Sequence, residues 1–157
     1  MIFAVISMTI SILALLLSTK RLSNIEIYAT TFFALYLDLL TDVFLAFKYH
    51  LFGYFSEGIE WVTAPYIIVT YSSVSYLFLN YFPYKKDRLK QLFYFLGWTL
   101  FSIIYEKAAQ STKLFFYHEW KLWYSAILYP FLFLLLLINL KLIRRFIRQI
   151  EGKLPTD

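Results

Sequence analysis

Apolar residues along this chain fall into five long runs, 2–18, 27–47, 61–82, 91–107 and 122–143, separated by short polar and aromatic stretches. A bilayer core about 30 Å thick needs about 20 mostly apolar residues to be crossed as a helix. The pattern therefore predicts an all-α integral membrane bundle of five transmembrane helices. The second run organises the rest. It opens on Ser23-Asn24-Ile25-Glu26, a capping box in which serine and glutamate side chains satisfy free backbone donors of the first turn. Residues four apart stack on one helix face, so Thr30, Ala34, Asp38, Asp42 and Ala46 form one small, polar stripe. Phe32, Phe33, Tyr36, Leu40, Val43, Phe44 and Phe47 take the other side. Bulk toward lipid and small or polar residues toward other helices is the pattern of a bundled membrane helix.

The remaining runs repeat the theme. The third carries Thr63, Thr70, Ser73 and Asn80 on one face, with Pro65 in its first turn and Pro83 at its end. The fourth is barely long enough to span and carries Thr99, Ser102 and Glu106 on one face, Glu106 closing its far end. In the fifth, Ser125, Tyr129, Leu132, Leu136 and Asn139 are spaced as a bundle-facing seam, and Pro130 is expected to kink the helix or open its ladder locally. The stretches 48–60 and 108–121 read as loops, the first punctuated by Gly53 and Gly58. Residues 144–157 read as a tail that begins as a basic amphipathic turn and loosens after Gly152. The first run reads as a retained helix rather than a signal peptide, because its charges, Lys20 and Arg21, follow the apolar core and no A-x-A site is present.

Composition sharpens the class. Of 157 residues, 61% are hydrophobic and 22% aromatic, with mean hydropathy +0.62, and the 16% that are charged cluster between the apolar runs. That describes one membrane domain over 1–157. With no cysteine, disulfides, thiolate metal sites and cysteine nucleophiles are excluded. The net charge of +5 does not imply nucleic acid, because the basic residues flank hydrophobic runs as topology signals do. Eleven Lys and Arg fall in the first and third connections and the tail, against four in the other two connections. The positive-inside rule then places the C-terminus in the cytoplasm and the N-terminus outside, in a cell membrane. Trp61, Trp120, Trp123, Tyr49, Tyr54, Tyr81, Tyr84 and Tyr117 flank the runs as an interfacial belt.

Two aspartates inside a span are costly. Each adds about 2.5–3.5 kcal/mol at a helix centre, while a Leu, Ile, Phe or Val returns about 0.3–0.6 kcal/mol, so insertion of this helix is near break-even. Asp38 and Asp42 must then face the bundle interior, paired, hydrated or protonated. Together with Asn80, Thr99, Ser102 and Glu106 they make up a candidate intramembrane polar site. Glu57, Glu60, His118 and Glu119 lie in the outer loops, so acidic residues converge on the outer half, as a vestibule for a cation or proton would require. The alternative is that the aspartates bond hydroxyls of neighbouring helices and fix bundle register. His50 and His118 are the only histidines and sit in no metal-ligand spacing, so neither metal nor cofactor is expected. No G-x-S-x-G elbow or glycine-rich phosphate loop is present, and no enzymatic activity is expected. The leading expectation is a structural or accessory protein acting through helix contacts, with the bilayer and another membrane protein as partners. The alternative is a proton- or cation-handling protein using Asp38, Asp42 and Glu106.

Several of these residues also carry a family resemblance. Asp38 and Asp42, Lys48-Tyr49 followed by Tyr54-Phe55, Leu79-Asn80-Tyr81-Phe82-Pro83, Trp98-Thr99, Glu106, and Trp120 followed by Tyr124-Ser125 and Tyr129-Pro130 recur in order. On them the chain resembles an uncharacterised family of small multi-pass membrane proteins found in spore-forming Firmicutes, from the second run to the fifth. The resemblance implies a bacterial cell-membrane protein of about five helices. It implies no activity, substrate or cofactor.

Overall fold

Ser23 opens the second helix by the reciprocal bonding its sequence predicts: the Glu26 N–H donates to Ser23 Oγ (3.3 Å) and the Ser23 N–H donates to Glu26 Oε2 (2.7 Å). The structure is a computed structural model that describes residues 2–54, 61, 63–112 and 114–152. Five α-helices lie among them: α1 (Ile2–Leu17), α2 (Asn24–Thr41), α3 (Thr63–Tyr81), α4 (Arg88–Ser111) and α5 (Leu122–Glu151). α4 runs past its expected end by about one turn, and α5 stays helical through the stretch read as the start of a tail. Pro130 lies inside α5 without ending it. α1 packs on α3, α2 on α3 and α5, and α4 on α5.

Beyond Thr41 the chain widens into a π-helical segment, Asp42–Lys48, closed by Tyr49 N–H donating to the Phe44 carbonyl (3.1 Å). A regular α-helix was expected to Phe47; the i→i+5 bonding shifts the faces after Asp42, and Ala46 leaves the buried stripe for a half-buried position. His50 then turns the chain at φ 52°, in the left-handed region that histidine visits more readily than most residues.

The two stretches read as loops meet. β1 (Phe52–Tyr54) pairs antiparallel with β2 (Phe115–Tyr117), placing Gly53 opposite Phe116. A Cβ on Gly53 would come within 2.5 Å of the Phe116 ring, so the glycine is what admits the aromatic. The Leu51 carbonyl gathers the N–H groups of His118, Glu119 and Trp120 at 3.0–3.2 Å. Three-residue strands joined across so many residues carry no local periodicity, which is why they read as loop.

The bundle buries many polar side chains and leaves many large apolar ones on its surface. Among the described residues, as many polar or charged side chains are buried as apolar ones. The α2 stripe of Glu26, Thr30, Ala34, Asp38 and Asp42 is buried throughout, while Phe32, Tyr36, Leu39 and Val43 are exposed. The main apolar cluster is centred on Phe78, Leu79, Phe133 and Leu140. Among the described residues two helices, Asn24–Ala46 and Leu122–Ile150, are long and apolar enough to cross a membrane. α1 is apolar but shorter.

The end of the bundle away from the strands is tied by polar contacts. Asn80 Oδ1 accepts from the N–H groups of Arg21 (2.8 Å) and Leu22 (3.3 Å), and Asn80 Nδ2 donates to the Thr19 carbonyl (2.8 Å). Arg144 Nε donates to Glu26 Oε1 at 2.6 Å, and its guanidinium lies 4.5 Å from the Tyr84 ring centroid. Glu26 thus caps α2 with one oxygen and holds α5 with the other.

Candidate functional site

The polar faces of the helices do not close on one another. They enclose a cavity of about 500 Å³ toward the strand end of the bundle, lined by all five helices. Asp38 of α2 and Asp42, the first residue of the π-helical segment, stand one turn apart on its wall, each 7% exposed. Facing them are Tyr66 and Thr70 of α3, Ser102 and Glu106 of α4, and Ser125 and Tyr129 of α5. Phe3, Ile10, Leu132 and Leu136 supply apolar wall. Phe52 and Trp120, packed edge to face at 5.5 Å, line the cavity where the strands lie.

Glu106 is held by three hydroxyls. Tyr117 (2.5 Å) and Ser125 (2.8 Å) donate to Oε1, and Tyr129 (2.5 Å) donates to Oε2. Trp120 Nε1 donates in turn to Ser125 Oγ (2.8 Å). Burial, and after it the Glu106 carboxyl alongside, holds the Tyr117 phenol above its usual range, so it serves as donor. Glu106 therefore accepts hydroxyls from both α5 and β2, and it fixes both against α4.

Across the cavity, Tyr66 and Tyr105 share a hydrogen bond of 2.8 Å between α3 and α4. Thr70, one turn after Tyr66, behaves differently from its neighbours. Ser73 and Ser75 bond back to their own helix, at the Val69 (2.6 Å) and Ser72 (3.0 Å) carbonyls. Thr70 is 7% exposed, and its Oγ1 has no hydrogen-bond partner. A buried hydroxyl left unpaired costs about 1–3 kcal/mol, and this one stands on the cavity wall.

Of the six residues of the expected site, Asp38, Asp42, Ser102 and Glu106 share this cavity. Asn80 and Thr99 do not. Asn80 clamps the first connection at the opposite end, and Thr99 Oγ1 donates to the Phe95 carbonyl of its own helix (3.0 Å). Spacing along α4 suggested a shared face, yet it could not show that the face changes partners along its length. Glu57 and Glu60 lie outside the described residues. His50, His118 and Glu119 are exposed, and Glu119 lies on a separate groove beside Trp120 and Tyr124. Among the described residues no three His, Asp or Glu side chains are grouped to hold a metal ion.

Tyr66, Tyr117 and Trp120 carry no sequence pattern that marks them as site residues. Tyr117 and Trp120 read as an interfacial belt, because nothing local announces a long-range strand pair. Ser125, Tyr129 and Thr70 were legible as polar positions at helical spacing. What spacing withheld was which of them would find a partner. Comparison with known proteins gives no match for this chain among protein families, curated proteins or solved structures.

Proposed function

We propose that this chain is an integral membrane protein whose five helices all cross the bilayer, N-terminus outside and C-terminus cytoplasmic, and that it handles a proton or cation at Asp38 and Asp42. The observation that carries the reading is that both carboxyls stand on the wall of an internal cavity instead of being sealed by packed side chains. Intramembrane acids facing a cavity are the usual components of ion and proton paths. Exposed apolar side chains on every helix around a polar interior support the membrane assignment. The five-span arrangement is supported by the bundling of α1, α3 and α4 with the two helices that are long and apolar enough to cross.

The path differs from an open outer vestibule, since the paired strands with Phe52 and Trp120 lie over that end of the cavity. A second reading, an accessory protein acting through helix contacts, is favoured by Glu106 and Asn80, whose polar atoms are spent on tying elements together. Reconstituted liposomes loaded with a pH-sensitive dye separate the two. After an acid pulse or a Na⁺ or K⁺ gradient, the wild type should carry flux that falls at least tenfold in the Asp38→Asn/Asp42→Asn variant, with helicity retained. Unchanged flux in the folded double variant leaves the accessory reading.

A further inference from the structure

Outside the cavity, a second concavity opens on the surface of the bundle where α2 gives way to the π-helical segment. Up to Thr41 the second helix packs on α5; past it, the widened turns pack chiefly on α2 itself and on β1. A groove of about 440 Å³ lies between Leu45 of the π-helical segment and Ile127, Leu128 and Phe131 of α5. From Tyr124 to Phe131 it follows two turns of α5, about 10 Å of helix, and the α5 side chains that line it beyond Tyr124 are all apolar.

The other end is furnished differently. Glu119, Trp120 and Tyr124 line it, and Glu119 is the one charged residue on the groove among the described residues. The Glu119 amide is spent on the Leu51 carbonyl (3.2 Å), which fixes the backbone there. Its carboxylate is exposed and has no hydrogen-bond or ion-pair partner among the described residues. Trp120 is held by its Nε1–H bond to Ser125 Oγ (2.8 Å), and its ring centroid lies 5.2 Å from that of Tyr124, the planes inclined at 58°. Aromatic faces attract a cation through the ring quadrupole, and an uncommitted carboxylate accepts its N–H groups.

In the orientation proposed above, the Glu119 end lies at the outer interface, where Trp123 also sits, and the Phe131 end lies in hydrocarbon. Charge and aromatic rings at headgroup level above an apolar slot match a phospholipid. The carboxylate then selects the headgroup. A primary ammonium brings three N–H donors, a trimethylammonium brings charge without donors, and a glycerol headgroup brings no positive charge.

We infer that this groove binds one phospholipid of the outer leaflet by a primary-ammonium headgroup, held at Glu119 beside Trp120 and Tyr124, with an acyl chain along Leu45, Ile127, Leu128 and Phe131. This rests on the membrane-spanning reading and its orientation, and is independent of ion handling at Asp38 and Asp42.

The full chain, stripped of lipid in detergent, is titrated with phosphatidylethanolamine, phosphatidylcholine and phosphatidylglycerol of identical acyl chains, and bound lipids are counted by native mass spectrometry. The first phosphatidylethanolamine should bind at least fivefold tighter than the first of either other lipid. Glu119→Gln should bring the three within twofold of one another. Ile127→Trp, which places a large ring in the groove, should weaken phosphatidylethanolamine at least fivefold. Glu119 is exposed and Ile127 is 64% exposed, so both variants should keep the helicity of the wild type by circular dichroism. If one does not, the three-lipid comparison on the wild type and the other variant decides. Equal affinity for the ethanolamine and choline lipids, a preference that survives Glu119→Gln, or binding that Ile127→Trp leaves unchanged overturns the inference. Alkaline carbonate washing of membranes separates that failure from failure of the membrane reading. A chain that stays in the pellet without the lipid preference overturns the inference alone, and a chain released into the supernatant overturns both.

Discussion

Glu106 shows how one buried acid can be made structural by its neighbours. Its two oxygens take up three hydroxyl hydrogens from β2 and α5, so removing the side chain strands all three donors at once. Each buried polar group left unpaired costs about 1–3 kcal/mol. Glu106→Ala is therefore expected to destabilise the protein by about 3 kcal/mol or more, and Tyr129→Phe, which removes one donor and leaves Oε2 without it, by about 1–2 kcal/mol. Thermal or denaturant unfolding in detergent, followed by tryptophan fluorescence, measures both. Equal losses for the two variants would mean that Tyr129 alone carries the network. Thr70 is the opposite case. Its hydroxyl lacks a partner, so Thr70→Val should leave stability unchanged or raise it, by up to about 1 kcal/mol.

At the scale of elements, the Glu26–Arg144 pair joins the first turn of α2 to the last third of α5 across 118 residues of sequence. Neither side chain is more than 29% exposed. A hydrogen bond to a charged group contributes about 1.5–3 kcal/mol. Arg144→Ala is expected to cost about that much, whereas Arg145→Ala, on the same turn and without an ion pair among the described contacts, should cost less than about 0.5 kcal/mol. Unfolding midpoints of the two variants provide the comparison. The sequence was informative where a pattern is local. The capping box at Ser23, the buried stripe from Thr30 to Asp42 and the helical spacing of Ser125 and Tyr129 all follow from residues within a turn or two of each other. It was silent where the determinant is distant. Arg144 looked like one more tail cation, the π-helical segment after Thr41 has no sequence signature, and the strands at Phe52 and Phe115 specify each other only once the helices have brought them together. Within the site, Asp38, Asp42 and Glu106 could be picked out because acids are rare in apolar runs. That Glu106 would gather three hydroxyls depends on α5 and β2, which spacing along α4 cannot reveal, and spacing along α3 cannot reveal that Thr70 would find no partner.

For the molecule as a whole, the two ends differ in chemistry. Asn80, Glu26, Arg144 and the basic connections gather at one end, and the strands and exposed histidines at the other. The proposed orientation follows from that asymmetry. A C-terminal fluorescent-protein fusion should therefore glow in the cytoplasm and a C-terminal alkaline phosphatase fusion should stay inactive; an active phosphatase fusion reverses the assignment. The packing order adds a constraint on biogenesis. α2 rests on α5 as well as on α3, yet α5 leaves the ribosome after the other four described helices. If the proposed membrane assignment holds, the acidic flank of α2 lacks one of its two shields until α5 arrives, and the half-made protein must keep those carboxyls from hydrocarbon by other means, in the insertion machinery or by delaying release of α2. Chains truncated before Leu122 should thus be held by the translocation apparatus or degraded, while chains cut after Glu151 should leave it as readily as the intact protein.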